Sequence, residues 1–115
     1  MVLHIRHDSN TPHTHMTCAA IIVAAGRGLR AGGPVAKQWQ PLCGARVIDH
    51  TLAAFLNHPQ IDQVVLVLHA DDMGGAEFAG VTQTTGGADR AASVRAGLAA
   101  LSDPAITRVL IHDVA

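Results

Sequence analysis

Residues 18–25 read CAAIIVAA, an unbroken apolar run that includes the β-branched Ile21, Ile22 and Val23 and stops at a cluster of glycines. A strand with one wet face alternates apolar and polar residues. A short run that is apolar on both faces reads instead as a strand covered on both sides, as in a parallel sheet. Parallel neighbours need crossover segments, usually helices, so this run commits the rest of the chain to alternating strands and helices. Further strand-like runs lie at 64–69, at 81–84 (the weakest) and at 108–111. Helical spacing appears over 47–57, where Ile48, Leu52, Phe55 and Leu56 share a face, and over 89–101, where Ala91, Val94, Leu98 and Leu101 do. Residues 71–79 read as a weak helix, because Gly74 and Gly75 each cost about 1 kcal/mol relative to alanine. The pattern predicts a mostly parallel α/β sheet, in which ligands bind beyond the carboxyl ends of the strands.

A chain of 115 residues is one domain. With 49% hydrophobic and 15% charged residues it is too apolar for disorder, yet no apolar stretch approaches the roughly 20 residues of a membrane span. A formal net charge of -1 leaves no basic field to hold nucleic acid, and three aromatic residues, Trp39, Phe55 and Phe78, offer no stacking platform. Cys18 and Cys43 lack metal or redox spacing and read as reduced thiols of a cytoplasmic protein. Residues 1–17 have no signal-peptide pattern and read as a disordered leader, with the domain starting at Cys18. The leader's His13 and His15 read as part of a solvated tail, since metal ligands need a fold to fix them.

Three strand ends carry unusual chemistry. After the first strand, Gly26, Gly28, Gly32 and Gly33 crowd one connection with Arg27, Arg30 and Lys37 around them. Glycines let backbone N–H groups approach an anion and the cations neutralise it, so a polyphosphate cradle competes here with a plain solvated loop, and the position at a strand end favours the cradle. A Walker A loop is excluded because Pro34 follows Gly33. Gly26, Gly28 and Ala31 match the dinucleotide fingerprint, which keeps a Rossmann module open as an alternative. Against it, Gly32, Gly33 and Pro34 interrupt the helix it requires, and its acidic residue, Asp49, falls inside a helix. After the third strand, Gly86 and Gly87 allow another close approach, and Arg90 and Ser93 lie on one side of a helix start, where they can meet a base or ribose. An ordinary loop with Asp89 as N-cap explains the same residues. After the fourth strand stands Asp113, beside His112 and with no cation next to it in sequence. A carboxylate there suits Mg²⁺ bridging phosphate oxygens, although a strand-end acid taken alone is more often a turn or cap residue. His50, His58, His69 and His112 read as structural.

Residues 24–42 (AAGRGLRAGGPVAKQWQPL), 47–68, 86–98 (GGADRAASVRAGL) and 109–115 (VLIHDVA) resemble the amino-terminal half of the 2-C-methyl-D-erythritol 4-phosphate cytidylyltransferase family. The resemblance covers about 19–115. Lys37-Gln38 with a following aromatic, Gly86-Gly87 with Arg90 and Ser93, and His112-Asp113 are its narrowest parts. It implies a three-layer nucleotidyltransferase (Rossmann-like) fold, here truncated, and transfer of CMP from CTP to a sugar-alcohol phosphate with release of pyrophosphate, in non-mevalonate isoprenoid synthesis. Ribitol 5-phosphate is the alternative acceptor. By the same resemblance Ala24, Ala25 and Gly26 line the base and ribose, and the loop through Gly28 wraps the triphosphate. Arg30 and Lys37 stabilise charge at the reacting phosphorus and leaving group. Gly87 and Ser93 read cytosine, Arg90 supports that turn, and Asp113 holds Mg²⁺. Val23 and Ala36 stand where the family has proline and Ala88 where an acid is common. None of these removes a charged position. The family continues past the equivalent of Ala115 into an acceptor-binding half. The resemblance therefore implies that these residues alone do not turn over substrate, that the full-length parent is a homodimer, and that some relatives are fused to a cyclodiphosphate synthase.

Overall fold

The apolar run at 18–25 lies at the centre of a five-stranded sheet in the computed structural model, which describes residues 2–4, 17–26, 37–75 and 78–114. The strands are β1 (Val2–His4), β2 (Thr17–Ala24), β5 (Ile61–Leu68), β6 (Val81–Thr85) and β7 (Ile106–Asp113), in the order β1-β7-β2-β5-β6. β7, β2, β5 and β6 are parallel, and β1 runs antiparallel to β7. A two-stranded hairpin, β3 (Pro41–Leu42) and β4 (Ala45–Arg46), stands apart from this sheet. The helices are α1 (Val47–Leu56) and α2 (Arg90–Ala99).

Alternation along β2 explains its composition. Ala20, Ile22 and Ala24 join Leu66 and Leu68 of β5 in a core closed by Ile48 and Leu52 of α1. Ala19 and Ile21 join Val65, Val67 and Ile111 in a second core, against which Val94 and Leu98 of α2 pack. The sheet is thus the middle of three layers, as expected, and each fully buried Ile, Leu or Val contributes about 1.5–3 kcal/mol over leaving it in water. α2 turns a slightly different face inward than its apolar periodicity predicts: Ser93 and Gly97 are buried and Ala91 is exposed. Gly97 sets this rotation, because a Cβ there would lie 2.6 Å from Ile21 Cγ2, so the helix backbone itself rests on the sheet.

Other expectations are corrected. Among the described residues of the weak helix expected over 71–79, only a 3₁₀ turn, Ala70–Asp72, forms, started by His69 Nδ1 accepting from the Asp71 N–H. Gly74, with φ 79°, then reverses the chain in a conformation that favours glycine. β5 and β7 start earlier than their apolar runs, because Ile61 and Gln63 pair with Cys18 and Ala19 of β2, and Ile106 and Arg108 with Thr17 and Cys18, each ladder stepping over one polar residue, Asp62 or Thr107, at a register shift. β2 begins at Thr17, and Val2–His4 do not follow the disordered-leader reading, because the free backbone groups of Arg108–Leu110 pair with them. The hairpin was not expected either. Cys43 and Gly44, with φ 50° and 86°, supply the two positive-φ positions of a tight primed turn. Among the described residues no helix is long and apolar enough to cross a membrane.

Candidate functional site

α1 carries the chain from β2 to β5 over one face of the sheet, and α2 carries it from β6 to β7 over the other. β2 and β7 are neighbours, so the direction of winding reverses between them and a crevice opens at their carboxyl ends. A cleft of about 340 Å³ lies there, walled by Ala24, Ala25 and Gly26 after β2, by Gly87, Arg90 and Ser93 after β6, and by Asp113 at the end of β7. These are the segments that strand-end reasoning selects.

The wall after β6 is sterically closed. The Gly86 N–H extends the sheet by donating to the Leu68 carbonyl at 2.8 Å, and the Gly87 N–H donates to Ser93 Oγ at 3.2 Å. A Cβ on Gly86 would fall 2.6 Å from Ala25 Cβ and 2.7 Å from Ser93 Oγ, and one on Gly87 would fall 2.3 Å from Ala92 Cβ. Ser93 is 2% exposed. A serine hydroxyl that accepts one hydrogen bond still has its own proton to donate. Asp89 is also the N-cap, its carboxylate accepting from the Ala92 N–H at 2.7 Å, so the ordinary helix start and the close-approach turn are one structure.

Asp113 is placed differently from expectation. The sequence shows no cation beside it, but Arg90 reaches it across the cleft, Nε at 3.1 Å from Oδ1 and Nη2 at 3.0 Å from Oδ2. Arg90 therefore pairs with Asp113 rather than supporting the Gly87 turn, because the helix start projects its side chain toward the end of β7. Both side chains are half exposed, at 51% and 49%, so the pair is screened by water and open to exchange. Among the described residues no three His, Cys, Asp or Glu side chains converge on a metal position. The single carboxylate of Asp113 nevertheless fits Mg²⁺, which is commonly held by one or two carboxylates and otherwise by substrate phosphates.

Gly28 and Arg30 lie outside the described residues. Lys37 opens a 3₁₀ turn, Lys37–Trp39, in which its backbone is described and its side chain is not. Asp49, the acid a dinucleotide site would need, lies in the first turn of α1 and is taken by Arg46 at 2.8 Å. The four histidines read as structural have such partners: His50 meets the Leu42 carbonyl, His58 accepts from the Gln60 N–H, His69 from the Asp71 N–H, and His112 packs on Phe55. One residue of the cleft was given no role in the sequence. Gln38 is 2% exposed and its amide donates to the carbonyls of Ala24, at 3.1 Å, and Gly26, at 2.8 Å. Its place after Lys37 is visible in the sequence, but nothing there marks it as buried.

A three-layer α/β domain with glycine turns and a strand-end carboxylate at its switch point has the architecture of a nucleotide-binding protein. The family model for 2-C-methyl-D-erythritol 4-phosphate cytidylyltransferase matches residues 18–115, and the chain belongs to that family. It is 59% identical over 103 residues to a bifunctional IspD/IspF enzyme of Ruegeria pomeroyi, covering 87% of this chain and 27% of that protein. It is 55% identical over 104 residues to a 2-C-methyl-D-erythritol 4-phosphate cytidylyltransferase of Cereibacter sphaeroides, covering 85% of this chain and 46% of that one. Among solved structures it is similar to the 4-diphosphocytidyl-2C-methyl-D-erythritol synthase of Anaerococcus prevotii, with a TM-score of 0.69, 31% identity, and coverage of 86% of this chain and 43% of that one. The Thermus thermophilus cytidylyltransferase is 35% identical with a TM-score of 0.60, over 87% of this chain and 42% of that one. The chain spans less than half the length of each of these relatives.

Proposed function

We propose that the cleft binds CTP and that the chain supplies the nucleotide half of a cytidylyltransferase, which passes CMP to 2-C-methyl-D-erythritol 4-phosphate and releases pyrophosphate. The observation that carries this reading is the pinned turn of Gly86 and Gly87, packed on Ala25 and Ser93 and facing Asp113 across the β2–β7 crevice. The turn offers the Ser93 hydroxyl proton to a base, and residues 24–26 form the opposite wall for base and ribose. Phosphoryl transfer asks mainly for positioning and charge neutralisation, which suits basic side chains, backbone donors and one carboxylate. In this reading Arg30 and Lys37 neutralise the phosphates, Arg90 holds Asp113 until nucleotide arrives, and Asp113 is the ligand for Mg²⁺. When bound, that ion neutralises phosphate charge.

Acceptor binding is assigned to the part of the relatives that this chain does not span, so CTP affinity is the property to test on residues 1–115. A cytoplasmic location is proposed from the free thiols of Cys18 and Cys43, and homodimeric assembly of the longer protein from family resemblance. Titration calorimetry with CTP and Mg²⁺, with NAD as the competing dinucleotide, is the direct test. Binding of NAD in place of CTP refutes the reading. Pyrophosphate release by the longer protein with methylerythritol phosphate or ribitol 5-phosphate identifies the acceptor.

A further inference from the structure

We propose that Gln38 is a positioning residue, which fixes the nucleotide wall formed by residues 24–26 and joins it to the backbone that carries Lys37. This rests on the CTP reading above. The Gln38 amide is buried, and both of its N–H donors are used, one on the Ala24 carbonyl at 3.1 Å and one on the Gly26 carbonyl at 2.8 Å. Those carbonyls belong to the last residue of β2 and to the glycine two residues beyond it. Past Ala24 the chain leaves the ladder of the sheet, and a glycine there has no side chain to limit its conformations. Gln38 takes over what the ladder no longer does.

Two consequences follow from the chemistry of a primary amide. Carbonyl oxygens beside a polyphosphate repel it, and here both are capped by donors and directed at Gln38. Only a side chain with two hydrogens on one nitrogen can serve two carbonyls in this way. Gln38 also sits in the 3₁₀ turn Lys37–Trp39, directly after Lys37, so the hydrogen bonds that shape the nucleotide wall hold the lysine backbone at a fixed place beside it. A glutamate of the same size would set carboxylate oxygens against both carbonyls, and a methionine would fill the space with no donor at all.

The test uses the 115-residue chain with CTP and Mg²⁺ in titration calorimetry, comparing Gln38→Met, Lys37→Ala and the double variant, each checked for folding by circular dichroism. Losing two buried hydrogen bonds predicts that Gln38→Met weakens CTP binding by about tenfold or more. Because Gln38 also places the lysine, the losses of the two single variants exceed that of the double variant, a coupling that a purely structural role does not produce. Unchanged affinity in Gln38→Met, or losses that simply add, overturn the proposal. If Gln38→Met does not fold, the unaltered chain decides: the Gln38 side-chain amide protons, followed by NMR, must exchange more slowly with CTP bound, and exchange that ignores CTP overturns the assignment. Failure of the unaltered chain to bind CTP overturns the reading of the cleft and the Gln38 role with it. Binding that is indifferent to Gln38 overturns the role alone.

Discussion

The two walls of the cleft are built on different principles. The wall at 86–93 is closed mainly by near neighbours in sequence: Asp89 caps its own helix, Ser93 accepts from Gly87, and Ala92 leaves no room for a side chain on Gly87, while Gly86 is closed off by Ser93 and by Ala25 of the other wall. The wall at 24–26 is held from a distance, by an amide 12 to 14 residues further along the chain. A Cβ on Gly26 would meet nothing within 4 Å, where one on Gly87 would meet Ala92 at 2.3 Å. One wall is shaped by exclusion and the other by attraction, and they should fail differently when altered.

Exclusion gives the largest effect. Gly87→Ala should cost about 1–3 kcal/mol in urea unfolding, as overpacking does, and should abolish CTP binding by moving the turn off Ser93. Gly26→Ala should leave stability within about 0.5 kcal/mol, as for a substitution away from any packed feature. Equal losses at the two glycines would erase the distinction between the walls. Gly97→Ala extends the same argument into α2. Alanine inside a helix normally gains about 1 kcal/mol over glycine. Here its Cβ would lie 2.6 Å from Ile21 Cγ2 and 3.1 Å from Val67 Cγ2, so the variant should be less stable, and a raised unfolding midpoint would show that the sheet yields.

Between the walls stands the Arg90–Asp113 pair. Asp113→Asn should leave the thermal midpoint nearly unchanged, since both partners are half exposed. It should weaken Mg²⁺-dependent CTP binding by about tenfold or more, because groups even one shell removed from a metal commonly cost that much. Arg90→Leu frees the carboxylate and should lower the Mg²⁺ concentration needed for half-maximal CTP binding. A higher requirement would mean that Arg90 assists the nucleotide rather than competing with the ion.

The same contrast decides what the sequence can reveal. Glycines 86 and 87, the Asp89 cap and Ser93 fall within eight residues, so local spacing is enough to read the turn. The strands β2, β5 and β7 are equally legible, because covering a strand on both faces leaves an apolar run, whereas the edge strand β6, VTQTT, is only weakly marked. Gln38 was missed because its partners are main-chain carbonyls 12 and 14 residues away and carry no side-chain signature. Arg90 and Asp113 are 23 apart and meet only because β7 lies beside β2, a fact of sheet order and not of spacing. The β3–β4 hairpin escaped because Cys43 adopts φ 50° without belonging to the residues that usually signal such a turn.

The smallest expected effect concerns what stands behind the remotely held wall. Trp39, next to Gln38, lies under the Arg46 guanidinium, which is 5.2 Å from its ring centroid and 5.5 Å from that of Phe78. Asp49 aims that guanidinium through Nε at 2.8 Å and Nη2 at 2.9 Å and also accepts from the Arg46 N–H. The hydrogen bonds from Arg46 hold the Asp49 carboxyl below its usual range, against the burial that would raise it. A carboxylate whose pKa is lower folded than unfolded stabilises the fold above the unfolded value of about 3.9, and that contribution is lost as pH falls through the lower folded value. The side chains are 38% and 34% exposed, so solvent screening keeps the pair to less than about 1 kcal/mol. Asp49→Asn should therefore lower the urea midpoint slightly at neutral pH, and the gap between variant and parent should close as pH drops below about 3.9. A gap that persists in acid would mean that Asp49 acts on α1 by its shape and hydrogen bonds rather than by its charge. The support behind Gln38 would then be independent of pH.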